Sequence, residues 1–428
     1  MITLRYEPVF TYVIGEDNYA DEVLTEVLTT IQETGEKCLY DKNHRRFLSG
    51  LCDFIISKLR EYNIEHTVLY KPYPDLDYRE PPKDLLATED EPDFKFREYQ
   101  PKAIAKLLVS VRGLLQIGTG GGKTEIYIGF LKWLEIVIGR KIYSLTMVSY
   151  SNLARQIVKR MSRRGLKSCV IAKNGDISNI NARHVVAVVN TIHSGLIRKK
   201  SKVLGILKRV DVVGVDESHR ALSSQYREIL MSTVAKYRIG LSATQFNNPT
   251  DPYKNHKDLM LIGLLGPILV DIPSVYLRRS IDPDTGKTFL PDPKIYMIPC
   301  PLERRSYGYR VKGKWIDKSK WHVVEKECII TNPYRVELTK RLVFWTCVQN
   351  KFDCRFLIIV AKKYHGILLQ RVLHSCLIKS VCSFGGDVLC KIDDDGTFYK
   401  EKDYNDESIR DFENGKFPVL IDSMSKGV

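Results

Sequence analysis

The chain has 428 residues and a mass of 49.2 kDa, enough for two or three domains that each bury a core. Its hydrophobic fraction of 44% and charged fraction of 27% are those of a globular protein, and no apolar run reaches the ~18 residues of a membrane span. Lys and Arg exceed Asp and Glu by 66 to 51, a formal charge of +15 with a pI near 9.2, which favours a polyanionic partner and makes nucleic acid the first candidate.

In chain order, residues 1–73 read as a small α+β unit. Strands are expected at 2–6 and 10–14, a helix at 20–32, a strand at 38–40, a helix at 46–62 and a strand at 66–70. The start Met1-Ile2-Thr3-Leu4-Arg5 lacks a basic stretch leading into an apolar core, so a protein that stays inside the cell is expected. The segment 71–93 is rich in Pro, Asp and Glu and reads as a linker; the expected domain boundary lies near residue 85. From 86 to 273 apolar strands at 114–117, 144–149, 169–172, 185–189, 210–215 and 237–241 alternate with helical segments, the pattern of a parallel sheet covered on both faces. A second set at 295–298, 356–360, 380–384 and 419–422 implies a similar second lobe over 274–428. The expected fold class is α/β, two tandem parallel-sheet lobes behind an N-terminal α+β appendage. Ten cysteines from Cys38 to Cys390 contain no C-x-x-C pair, which points to reduced core thiols rather than a zinc or disulfide framework.

The chemistry falls at the ends of the expected strands. After strand 114–117 comes Gly118-Thr119-Gly120-Gly121-Gly122-Lys123-Thr124. Such glycines let backbone N–H groups close around a phosphate at a helix N-terminus, Lys123 supplies a cation for the β and γ phosphates, and Thr124 a hydroxyl for Mg²⁺. The strict phosphate-loop pattern would place its first glycine at Ile117. Strand 210–215 ends in Asp216-Glu217-Ser218-His219, where one carboxylate can hold a metal and a second can activate water. Strand 237–241 ends in Ser242-Ala243-Thr244. Taken singly, a glycine turn can simply open a helix, and paired acids can simply cap one. Basic residues cluster at Lys199-Lys200, Arg278-Arg279, Arg304-Arg305 and 312–320, the last two beside Tyr307, Tyr309, Trp315 and Trp321. This is a pattern for stacking on bases while neutralising phosphate, or equally a solvated basic hairpin.

The set G-x-G-K-T, D-E-x-H and S-A-T, in this order and spacing, resembles the superfamily 2 helicase motor core of DExH type, over about 94–428. The resemblance implies RecA-like lobes, with ATP and Mg²⁺ as cofactors. Lys123, Asp216, Glu217, His219, Ser242 and Thr244 are then the catalytic and coupling residues. Phe96-Arg97-Glu98-Tyr99-Gln100 looks like the adenine-reading Q-type motif, with Arg97 and Gln100 on the base. Ser149 and Tyr150, then Asn190 and Thr191, are similar to nucleic-acid contact loops of the first lobe. Ala361 and Lys362, with the weaker His365, the turn Gly385-Gly386, and Ser423 to Gly427 resemble their counterparts in the second.

The D-E-x-H form, the R-x-Y-Q opening and the small appendage resemble phage recombination helicases of the UvsW type, and more distantly XPB and RecG. That likeness implies a monomeric remodeller of forks, Holliday junctions and R-loops in a host cytoplasm. It also implies that the appendage grips duplex DNA through residues such as Lys42, Arg45, Arg46, Lys58 and Arg60, and that 304–321 forms a wedge. A Gln-x-x-Gly-Arg-x-x-Arg motif, which supplies arginines to the γ-phosphate in that family, is not found in the 428 residues, so a C-terminally incomplete second lobe is expected. A duplex translocase, an RNA helicase and an ATP-gated, non-catalytic DNA clamp remain the competing readings.

Overall fold

The computed structural model describes residues 1–32, 35–69, 76–172, 182–281, 286–291, 296–299, 310–311, 314–315, 330, 332–350, 354–360, 362–383, 388–392, 398–402, 411–412 and 414–423. The chain forms two compact units, Met1–Pro293 and Lys294–Val428.

The first unit begins with a four-stranded mixed sheet. β1 (Ile2–Tyr6) pairs antiparallel with β2 (Phe10–Ile14). After α1 (Asn18–Val27), β3 (Thr29–Gln32) and β4 (Gly35–Cys38) form a separate antiparallel pair. β5 (Arg46–Leu48) adds to β2, a 3-10 turn covers Ser49–Leu51, and α2 (Cys52–Glu61) leads to β6 (His66–Leu69), which lies parallel to β1. Two expectations change here. The helix expected to run to 32 stops at Val27, because Thr29, Thr30 and Ile31 are β-branched and Gly35 (φ +107°) turns the chain into a paired strand. The helix expected from 46 starts at Cys52, because Arg46–Leu48 completes the sheet edge. The Ser49 hydroxyl, accepting from Thr11 Oγ1 at 3.0 Å and donating to the Glu7 carbonyl at 2.7 Å, fixes the turn between them.

The main sheet follows: α3 (Tyr99–Ser110), β7 (Arg112–Ile117), α4 (Lys123–Ile138), β8 (Ser144–Val148), α5 (Ser151–Arg163), β9 (Ser168–Ile171), β10 (His184–Val188), α6 (Val189–Ile197), α7 (Ser201–Leu207), β11 (Val212–Asp216), α8 (Ser224–Ser232), β12 (Tyr237–Ser242), α9 (His256–Leu265), β13 (Ile268–Ile272) and α10 (Ser274–Arg279). All seven strands run parallel in the order β13-β7-β12-β11-β8-β10-β9. Their near-continuous apolar runs bury both faces, with Leu114, Leu115, Ile117, Val212, Val213, Val215 and Ile239 fully buried. β13 was not expected from the sequence. Its ILVDI run is short and follows Gly266-Pro267, and it is strand because it completes the sheet beside β7.

The N-terminal module is fused to this sheet through α9. A Cβ at Gly50 would stand 2.0 Å from the Ile262 carbonyl oxygen, and one at Gly263 would stand 2.8 Å from the Leu48 side chain. The Phe54 and Tyr253 rings stack at 4.2 Å, and Arg112 donates to the Pro8 carbonyl at 3.1 Å. One hydrophobic cluster holds Ile2, Leu24 and Ile55 together with Leu259, Ile262 and Leu265. The described part of 76–98 is held against α4 and α5. Leu86 is fully buried, the Trp133 indole donates to the Arg79 carbonyl at 2.9 Å, and Arg164 lies 3.9 Å over the Phe94 ring while pairing with Glu91 at 2.7 Å.

In the second unit, Arg310–Val311 (β14) and Lys314–Trp315 (β15) pair, and most of the expected wedge 304–321 lies outside the described residues. α11 (Pro333–Gln349), β16 (Phe356–Val360), α12 (Lys363–His374), β17 (Ser380–Ser383), β18 (Val388–Ile392), β19 (Phe398–Lys402) and β20 (Val419–Ser423) build a five-stranded sheet in the order β16-β20-β17-β18-β19. β16, β20 and β17 are parallel, and β18 and β19 continue as an unforeseen antiparallel hairpin. The strand expected at 295–298 is replaced by irregular chain at its described residues, where Tyr296, Met297 and Ile298 are exposed; with no sheet neighbour, their apolar character alone does not make a strand. The described cysteines are all free thiols, and Cys38 is exposed rather than in a core.

Replacing Gly50 by Ala forces its Cβ into the backbone of α9, where no side chain can yield. The expected result is a loss of about 2–3 kcal/mol in urea unfolding followed by circular dichroism.

Candidate nucleotide and nucleic-acid site

The loop from Gly118 to Gly122 joins β7 to α4, with Gly120 and Gly122 in the left-handed region at φ +80° and +76°. A side chain at either would be strained. The loop is gripped from outside. A Cβ at Gly122 would stand 2.3 Å from Gln100 Nε2, and one at Gly118 would stand 2.4 Å from Ser274 Oγ. Arg97 donates to the Gly120 carbonyl at 2.9 Å, and the Tyr99 hydroxyl and Gln100 Nε2 donate to the Gly121 carbonyl at 2.5 and 3.3 Å. Gln100 also accepts from the Arg97 backbone N–H at 2.9 Å and is only 4% exposed. Its amide therefore holds the loop. A cavity of about 560 Å³ opens nearby, lined by Arg97, Tyr99, Asp84, Tyr276 and Phe289, with Arg97 4.4 Å over the Phe289 ring.

Lys123 and Thr124 start α4. Lys123 Nζ donates to the Ile117 carbonyl at 2.8 Å. Burial lowers its pKa, against the pull of Glu217 and Asp216. Asp216 ends β11, and burial, reinforced by the neighbouring Glu217 charge, raises its carboxyl above the ordinary range, with Lys123 and Arg160 opposing. A cation and an acid are thus both held partly dehydrated at the same strand ends.

Glu217 adopts φ 51°, ψ 56°, left-handed for a residue with a Cβ, which turns the chain sharply out of the strand. Its carboxylate accepts from Ser242 Oγ at 3.3 Å and lies 3.4 Å from His219 Nδ1, which is itself 3.1 Å from Ser242 Oγ. Ser242 further accepts from the Thr244 backbone N–H at 3.2 Å. Motifs far apart in sequence therefore meet around one hydroxyl. Sequence reading passed over Gln245 and Gln116. Gln245 accepts from Ser218 Oγ at 2.7 Å, donates to the Leu115 carbonyl at 3.1 Å, and its backbone N–H donates to Gln116 Oε1 at 3.1 Å. Both are isolated glutamines at strand ends, with no pattern to mark them.

Because the strands are parallel, the loops after β7, β12, β11, β8 and β10 share one edge of the sheet in that order. The last two carry Ser149 with Tyr150, and Asn190 with Thr191 at the start of α6. Ser149 Oγ is 3.0 Å from the Tyr226 hydroxyl, and the Tyr150 hydroxyl accepts from Arg220 at 3.1 Å. Asn190 is exposed. In the second unit Lys362 precedes α12 with extended backbone, His365 is buried within that helix, and Ser423 ends β20. Ala361, Gly385, Gly386 and Gly427 lie outside the described residues. Of the basic residues expected to grip duplex, Arg45 pairs with Asp21 at 3.1 Å, Arg46 with Asp41 at 3.0 Å and Lys58 with Glu61 at 2.7 Å, while Lys42 and Arg60 are exposed.

The site suits a magnesium nucleoside triphosphate. Its cradle admits no side chain at Gly120 and Gly122, its lysine rests on a backbone carbonyl that a phosphate oxygen can replace, and Thr124 and Asp216 offer the oxygen donors Mg²⁺ prefers. Residues 93–247 match the family model described as the res subunit of type III restriction enzymes. A helicase-like protein, number 22, of Sulfolobus islandicus filamentous virus is 25% identical over 198 residues, which is 44% of this chain and 34% of that protein. Among solved structures, Saccharomyces cerevisiae Dbp5 bound to RNA and ADP BeF3 has a TM-score of 0.50 at 16% identity, covering 81% of this chain and 76% of that one. The UvsW helicase from bacteriophage T4 has a TM-score of 0.48 at 16% identity, covering 63% of this chain and 99% of its own. The fold is that of helicase lobes. Among the described residues no helix is long and apolar enough to cross a membrane.

A carboxyl with a raised folded pKa opposes folding when ionised. Asp216→Asn should raise the thermal midpoint of the nucleotide-free protein at neutral pH. The gain should shrink as pH falls through the raised folded pKa and vanish below the unfolded one, because the folded wild-type side chain takes up its proton first and the unfolded one follows. Calorimetry at pH 7.5 and pH 3.5 checks both.

Proposed function

We propose that this chain is a superfamily 2 helicase, a reading supported by its match to the family model over residues 93–247, and that it is an ATP-driven motor acting on DNA, with forks, Holliday junctions and R-loops as substrates. One observation carries the reading. A single sheet edge holds the phosphate loop, the carboxylate pair and the Ser242 hydroxyl at β7, β11 and β12, and the polar loops of Ser149-Tyr150 and Asn190-Thr191 at β8 and β10.

Lys123 neutralises terminal phosphate oxygens. Thr124 and Asp216 would hold Mg²⁺, which would withdraw charge from the phosphates. Glu217, oriented by Ser242 and His219, takes the proton of the attacking water. Ser242 and Thr244 link that carboxylate to the β12 end. The base sits in the cavity of Arg97, Tyr99, Tyr276 and Phe289, where a guanidinium and aromatic faces can stack on it. Backbone and hydroxyl donors of the β8 and β10 loops grip the phosphodiester chain without reading sequence. The net charge of +15 adds a salt-dependent attraction. The chain works as a monomer, and the likeness to a viral protein supports a place in a host cytoplasm.

Lys123→Ala and Glu217→Gln should each lower ATP turnover by on the order of 10²-fold or more, while Glu217→Gln leaves DNA affinity within about threefold. Forked DNA should stimulate hydrolysis more than single-stranded RNA, and a labelled fork should be unwound. Stronger stimulation by RNA would make the chain an RNA helicase. Triplex displacement without strand separation would make it a duplex translocase, and ATP binding without turnover a clamp.

A further inference from the structure

We infer that Arg220 is the positioning residue through which nucleic acid at the loop between β8 and α5 acts on Glu217, a reading that rests on the proposed nucleic-acid-dependent hydrolysis. Arg220 belongs to the short turn Ser218–Leu222 that begins at Glu217. The turn is tight. The Arg220 N–H donates to the Glu217 carbonyl at 2.9 Å, and the Ser223 N–H donates to the Arg220 carbonyl at 3.1 Å.

Two side-chain bridges leave this region for the β8 loop. Arg220 Nη1 donates to the Tyr150 hydroxyl at 3.1 Å, with the guanidinium 5.4 Å from the ring centre. Tyr226, 5% exposed on α8, meets Ser149 Oγ at 3.0 Å. Consecutive residues of one loop are thus tied to the chain just downstream of the carboxylate.

The bridges differ in what they can do. Tyr226 is buried and anchors its end. Arg220 is a cation on a neutral hydroxyl, and a phosphate oxygen is a stronger acceptor for a guanidinium fork. A phosphodiester reaching Ser149 and Tyr150 therefore competes for Arg220 and pulls on the turn. Glu217 has room to respond: its contacts to Ser242 and His219, at 3.3 and 3.4 Å, are longer than the ~2.7–2.9 Å of a good charged hydrogen bond. Its left-handed backbone, sparsely populated for a residue with a Cβ, makes the carboxylate sensitive to where the turn lies.

The test compares ATP hydrolysis with and without forked DNA in the full chain, for wild type, Arg220→Ala and Arg220→Lys, with DNA affinity by fluorescence anisotropy. In Arg220→Ala the unstimulated rate should stay within about twofold, DNA affinity within about fivefold, and the stimulation factor should fall at least tenfold. Arg220→Lys, keeping the charge but not the fork, should recover part of it. In wild type, DNA alone should change amide hydrogen exchange over residues 218–222, and in Arg220→Ala it should not. Full stimulation of Arg220→Ala, a parallel fall of both rates, or wild-type exchange indifferent to DNA would each overturn the inference. A wild-type rate that neither DNA nor RNA raises would overturn the nucleic-acid-dependent motor together with it, an outcome distinct from the failure of the coupling alone.

Discussion

A parallel sheet covered on both faces can place charged chemistry only at its strand ends, and the first unit is arranged around that constraint. At the centre of β7, β11 and β12, Leu114, Leu115, Val213, Val215 and Ile239 are apolar and fully buried. Lys123, Asp216, Glu217 and Ser242 therefore all gather at one edge, where strand backbone stops and loop backbone begins. The edge is costly to assemble. It holds a partly dehydrated lysine and a partly dehydrated acid side by side, and it turns the chain at Glu217 through a conformation disfavoured by its Cβ. Neutral side chains offset that cost by tying the ends together. Gln245 alone reaches Ser218 beside the carboxylates and both Leu115 and Gln116 of the phosphate-loop strand.

The same edge divides into two halves by strand order. β7, β12 and β11 end in the glycine loop, Ser242 and the Asp216-Glu217 pair, while β8 and β10 lead into loops of hydroxyl and amide groups. β11 and β8 are direct neighbours, so the two halves touch at the Arg220–Tyr150 and Tyr226–Ser149 contacts. Work done at one half can reach the other over a single strand spacing, without a long relay.

The N-terminal module is not hung from a loose tether. Gly50 and Gly263 allow the backbones of the module and α9 to approach more closely than any side chain would permit, and a shared apolar cluster seals the contact. The segment around Leu86 to Phe96 is likewise packed on α4 and α5 before it delivers Arg97, Tyr99 and Gln100 to the outside of the phosphate loop. The cavity beside Arg97 and the module are therefore built into one compact unit with the sheet, and several of the module's basic residues are engaged in its own ion pairs.

The periodicity of apolar runs by itself determined the alternating α/β architecture. The motif order at strand ends singled out Lys123, Asp216, Glu217 and Ser242, which the fold brings to one sheet edge, because glycine turns, paired acids and small polar triplets are dictated by local backbone and leave a local pattern. Where partners are distant, the sequence was silent. That Thr29–Gln32 leaves its helix for a strand, that Ile268–Ile272 joins the sheet and that Val388–Ile392 and Phe398–Lys402 add an antiparallel pair were decided by neighbours available only in the fold. The same holds for Gln100, whose amide donates to the Gly121 carbonyl, and for Arg220, Tyr226 and Gln245, ordinary residues whose partners lie 70 to 130 positions away. Backbone geometry is written in short stretches of sequence, whereas a hydrogen-bond partner across a sheet edge exists only once parallel strands have brought their ends together.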